Sequence, residues 1–113
     1  MIKVYQIQLT NAEMDLINLD GEYTPRVNAY FDRSSDRTFK AENFQYYTHV
    51  ANVDTDDMEE AFRAMNLWDG SSDVKRLGHC YSMSVGDIIE MEDGTKFRCA
   101  SFGFTELENA HSA

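Results

Sequence analysis

Apolar and polar residues alternate from Ile2 to Leu9, with Val4, Gln6 and Gln8 on one face and Tyr5, Ile7 and Leu9 on the other. This predicts a first strand that buries the second face. Thr10 and Glu13 follow in capping-box spacing and Gly21 suits a left-handed stop, so a short helix is expected from Asn11 to about Leu19. Between positions 22 and 48, Tyr23, Tyr30, Phe31, Phe39, Phe44, Tyr46 and Tyr47 keep neither the strand nor the helix period, and Pro25 fits a helix start or a loop. The segment reads as core first and interface second. Tyr46 to Val53 resumes as a strand. Asp54 and Thr55 then cap an expected helix from Asp56 to about Asn66, with Met58, Ala61, Phe62 and Met65 as its buried stripe. Leu67 and Trp68 close that helix before a polar loop from Asp69 to Asp73.

The last third is a hairpin by pattern. Ile88 to Met91 and Thr95 to Ala100 flank Glu92, Asp93 and Gly94. A three-residue loop with Gly94 left-handed sets Ile89 opposite Phe97 and Glu90 opposite Lys96, placing the charged pair on a wet face and Ile89, Met91, Phe97 and Cys99 on a dry one. A two-residue loop would mix the faces, so the longer loop is expected. The whole predicts an α+β single domain: a largely antiparallel sheet, two or three short helices and a C-terminal β-hairpin. Residues 1–107 are expected to form the domain and 108–113 a flexible tail.

Composition adds one strong feature. Ten Lys and Arg against twenty Asp and Glu give a net charge of -10, which opposes direct binding to nucleic acid or to an anionic membrane. The expected partner is a protein with a basic groove. No apolar run reaches the ~20 residues that span a bilayer, the start has no signal-peptide pattern, and two cysteines do not make a disulfide framework. The cytoplasm of a bacterial host is the expected compartment, with a symmetric homodimer as the default assembly.

Chemistry is sparse. Cys80 beside His79 suggests an activated thiol, but neighbours on an extended chain point to opposite faces. His49, His79 and His111 do not pair with each other or with Cys80 and Cys99 at chelating distances in sequence, and Asp54-Thr55-Asp56 lacks the rest of a calcium loop, so no metal site is expected. Single, scattered glycines offer no phosphate loop and no cofactor is expected. With no catalytic residues to name, the protein is expected not to be an enzyme. The acidity is concentrated: Asp54, Asp56, Asp57, Glu59, Glu60, Asp69 and Asp73 against Arg63 leave a net of -6 between positions 54 and 73. First-turn acids also complement a helix dipole and secure solubility without any partner.

From Ser84 the chain reads Ser84-Val85-Gly86-Asp87-Ile88-Ile89, then Gly94, Phe97 and Ser101-Phe102-Gly103-Phe104, and this resembles the C-terminal signature of the YodL-like domain family. The opening Lys3-Val4-Tyr5-Gln6-Ile7-Gln8-Leu9-Thr10 is similar to that of small bacteriophage proteins of unassigned function. The resemblance implies a setting on phages and mobile elements, some of whose proteins protect incoming DNA, and it brings no catalytic residues.

Together these lead to an expected function: a non-enzymatic phage or mobile-element protein that binds and inhibits a host defence nuclease or other nucleic-acid enzyme, of the anti-restriction or anti-CRISPR kind. Its partner-binding residues would be Asp56, Asp57, Glu59, Glu60, Asp69 and Asp73. Ten net charges match only ~17 Å of duplex DNA, so mimicry would cover a short segment. The alternative is a small adaptor or oligomerising domain that binds through the aromatic-rich segment, with acidity serving solubility alone.

Overall fold

The computed structural model describes residues 1–66 and 73–107. Within them the chain runs β1 (Ile2–Gln6), α1 (Asn11–Asp15), α2 (Pro25–Asp32), β2 (Thr48–Val53), α3 (Met58–Asn66), β3 (Val74–Arg76), β4 (Ile88–Glu90), β5 (Lys96–Cys99) and β6 (Phe104–Glu106). The strands form one antiparallel sheet in the order β3-β2-β1-β4-β5-β6. The α+β expectation holds.

The sheet is covered on both faces. On one, Ile2, Val4, Val53 and Ile89 pack with Ala61 and Met65 of α3. Full enclosure of an aliphatic side chain of this size contributes about 1.5–3 kcal/mol. On the other, Ile88 and Leu107 lie under Tyr5, Phe39, Phe44 and Tyr47. Val4 faces Ala51 but Tyr5 faces His49, which leaves Val50 as the extra residue of a bulge and brings two consecutive residues, Val50 and Ala51, into the same core.

Several expectations are corrected here. β1 ends at Gln6, and its fully buried positions include Ile2, Val4 and Gln6, the face expected to be wet. The reason is that α3 packs on the side of the sheet that carries Ile2 and Val4, so this side is the core face, while Lys3 is exposed and Tyr5 half-buried on the other. The hairpin register is as expected, with Ile89 opposite Phe97 and Glu90 opposite Lys96, and the Met91 N–H donates to the Thr95 carbonyl at 2.8 Å. Its charged face is not wet, however: Lys96 lies over the Phe44 ring at 5.2 Å and pairs with Glu90 at 3.8 Å. Residues 41–46 form a 3-10 helix, so the second strand begins at Thr48 and not at Tyr46.

Helix ends follow the capping logic. Thr10 Oγ1 accepts from the Glu13 N–H at 3.1 Å while Glu13 accepts from the Thr10 N–H at 2.8 Å, and the helix then widens into a π turn over Leu16–Asp20 that stops at Gly21. Pro25 opens α2 behind the Thr24 cap. Arg26 ties this region together, donating to the carbonyls of Tyr46 (2.8 Å) and Gln8 and pairing with Glu13 at 3.2 Å.

Candidate protein interface

The acidic end of α3 is built by nested turns. Thr55 Oγ1 accepts from the Asp57 N–H at 3.1 Å, and Asp57 Oδ1 in turn accepts from the N–H groups of Glu59 and Glu60 at 2.9 and 3.3 Å. Asp57 is therefore the cap of α3, two residues beyond the expected cap at Asp54 and Thr55. Asp56 and Glu92 flank the N-terminal ammonium at 3.2 and 3.6 Å. The hydrogen bond that the ammonium donates to Asp56 leads in raising that amine's pKa, against partial desolvation.

Of the six expected partner-binding residues, Asp56, Asp57, Glu59 and Glu60 come together, exposed, at the start of α3. Asp57, Glu59 and Glu60 line a shallow cleft of about 240 Å³ with Arg63, which pairs with Glu60 at 3.2 Å. Asp73 is exposed and its carbonyl accepts from the Asp54 N–H at 2.8 Å, which brings β3 to the same end of the sheet. Asp69 lies outside the described residues, as do Leu67, Trp68, His111 and the expected 108–113 tail.

Pattern reading missed the aromatic half of this surface. Phe62, expected in the buried stripe, is 37% exposed. It borders a second pocket of about 330 Å³ between α3 and the β5–β6 turn, lined also by Glu59, Ala100, Gly103 and Phe104. Beside it Phe102 is 97% exposed at the turn apex. The turn itself is closed by the Ala100 N–H donating to the Gly103 carbonyl at 2.9 Å. A glycine between two phenylalanines was the available signal, since it marks a turn that presents a side chain. The aromatic-rich segment meanwhile supplies cover for the sheet through Phe39, Phe44 and Tyr47, leaving Tyr23 and Phe31 exposed with their rings 5.9 Å apart.

The Ser84 to Asp87 motif forms a buried polar node. Asp87, 3% exposed, accepts at Oδ2 from the Ser84 N–H and from Gln6 Nε2, both at 3.0 Å. Gln6 also exchanges hydrogen bonds with the backbone of Tyr81 at 2.9 and 3.0 Å. Burial pushes the Asp87 carboxyl up to about 6, against the pull of those hydrogen bonds and of Arg33. Because the folded chain holds this proton more tightly than the unfolded one, the stability it contributes is full below about pH 4 and lost as pH rises through about 6. Asp87→Asn removes the titration and keeps an acceptor. In urea melts, the variant is expected to gain about 3 kcal/mol on the wild type between pH 4 and pH 7; parallel pH profiles would refute this.

The two cysteines lie in different surroundings from the exposed histidine beside Cys80 in sequence. Cys80 is buried in the core, while His79 is exposed with its ring edge-on to Tyr81 at 4.7 Å. Burial pushes the Cys99 thiol up to about 11, which keeps it protonated at neutral pH. Among the described residues, no group of three or more His, Cys, Asp and Glu is placed to hold a metal, and no helix is long and apolar enough to cross a membrane. Nothing among family models, curated proteins or solved structures matches the chain.

Proposed function

We propose that this chain is a non-enzymatic, cytoplasmic counter-defence protein of phage or mobile-element origin. It binds a basic groove on a host nucleic-acid enzyme through the start of α3 and blocks access by the enzyme's substrate. The observation that carries the reading is the convergence of Asp56, Asp57, Glu59 and Glu60, exposed, on one helix end beside an open apolar pocket. Charge brings such a surface to a basic partner quickly, and apolar contacts at its centre supply residence time. The resemblance of the Ser84 to Phe104 motif to YodL-like domains supports the setting.

The test is a pull-down of the tagged chain from bacterial lysate, with elution by short duplex DNA and a charge-reversed control. Asp57 is left intact in that control because it caps α3. The variant carrying Asp56→Lys, Glu59→Lys and Glu60→Lys is expected to keep its fold and to lose at least about a hundredfold in affinity, given the coupling energies of close interfacial charge pairs. Retention of a nucleic-acid enzyme that DNA releases from the wild type and that ignores the variant supports the reading. A partner held equally by both proteins and indifferent to DNA overturns it.

A further inference from the structure

Resting on that reading, we propose that the pocket between α3 and the β5–β6 turn seats one arginine side chain of the partner, its methylenes against Phe62, Ala100 and Phe104 and its guanidinium on Glu59. The volume of about 330 Å³ suits a single long side chain at the centre of an interface. Glu59 belongs to both this pocket and the acidic cleft, so the apolar and charged halves of the surface meet at that residue. The Cys99 thiol in the lining is held neutral, which leaves Glu59 as the charged member of the wall.

Chemistry selects the occupant. A purely aliphatic side chain would desolvate Glu59 with nothing in return. A lysine ammonium is compact and strongly hydrated, and leaving water for this rim costs it more than it costs a guanidinium. A guanidinium is planar and weakly hydrated; it lies flat on a phenyl ring and forks onto a carboxylate while its stem covers apolar surface. Phe102 of a second copy also has the size to enter the pocket. That arrangement would press together two chains of net charge -10, each with its carboxylates clustered at this site, and like charges facing each other oppose it.

The experiment titrates the ¹⁵N-labelled full chain with acetyl-Gly-Arg-Gly-amide and with acetyl-Gly-Lys-Gly-amide at fixed salt. The arginine peptide is expected to shift the amide signals of Phe62, Ala100 and Gly103, and to bind at least about fivefold more tightly than the lysine peptide. Glu59→Gln and Phe62→Ala should each weaken it by a similar factor, with Phe62→Leu reporting the ring face separately from volume. Glu60→Gln should change it less than about twofold. Equal binding of the two peptides, or an equal loss in Glu59→Gln and Glu60→Gln, overturns the pocket assignment in favour of diffuse charge. Concentration-dependent shifts at the pocket without peptide overturn it in favour of a second copy. The two failures separate in the pull-down: partner binding lost on triple reversal but unchanged by Phe62→Ala and Glu59→Gln sinks the pocket alone, whereas binding that survives the reversal sinks the electrostatic reading.

Discussion

Gly86→Ala is expected to destabilise the fold by about 3 kcal/mol or more, the sum of a left-handed backbone term and an overpacking term. Gly86 has φ +97°, and a Cβ built there lies 2.4 Å from the Arg33 carbonyl oxygen and 2.7 Å from Arg33 Cγ. The obstacle cannot step aside cheaply. The Arg33 carbonyl accepts from Arg98 Nε and Nη2 at 3.2 and 2.9 Å, and the Gly86 carbonyl accepts from the Tyr47 hydroxyl. Gly94 makes the internal control, because it has φ +90° and nothing lies within 4 Å of the place a Cβ would take. Gly94→Ala should cost only about 1 kcal/mol, the conformational part. Urea midpoints for the two variants give the comparison; equal losses would show that the approach to Arg33 carries no energy.

Arg98→Ala is the second large effect, expected at about 2–4 kcal/mol: the Arg33 carbonyl loses both side-chain donors, at about 1–3 kcal/mol, and the buried stem leaves a void, while Asp36 is exposed and stays solvated. The residue is 2% exposed; besides its two bonds to the Arg33 carbonyl it pairs with Asp36 and lies over the Phe39 ring at 5.1 Å. Arg98→Lys keeps the charge but cannot fork onto one carbonyl and a carboxylate together, so most of the loss should remain. Wild-type stability in the lysine variant would mean that charge alone matters. Since Gly86 and Arg98 act through the same Arg33 carbonyl, the double variant should lose less than the sum of the single losses. Additive losses would argue that the two contacts are independent.

These contacts explain why the Ser84 to Asp87 motif has the residues it has. Gly86 admits the C-terminal end of α2, Asp87 closes the turn onto Ser84 and anchors Gln6, and Ile88 enters the second core. The motif is a joint between α2, β1 and β4. The candidate interface lies elsewhere, at α3 and the β5–β6 turn.

Local rules were legible wherever neighbours in sequence settle the matter. Thr10 and Glu13 satisfy each other's backbone donors whatever surrounds them, and Gly94 with its alternating flanks sets the β4–β5 register. The acidic end of α3 was equally readable, because helical spacing alone gathers Asp56, Asp57, Glu59 and Glu60. Periodicity misled at Phe62 and on β1. At Phe62 the i, i+4 spacing matches the stripe, but the sheet beneath α3 reaches only Ala61 and Met65 fully. On β1 the alternation pointed to the Tyr5 face, whereas the Ile2 and Val4 face is the one packed against α3, and Lys3 is exposed on the other.

Most element types, the first helix cap, the hairpin register and the sign and location of the charge follow from the order of residues alone, because each depends on bonds and spacings within a few positions. Folding in three dimensions was needed to fix which faces are buried, where the aromatic segment packs, that Asp57 caps α3, and that Phe62 and Phe102 stand beside the carboxylates. Burial depends on which elements meet, and that is settled by contacts between residues far apart in the chain, such as Arg98 with Arg33 and Gln6 with Asp87, whose pairing no local pattern encodes.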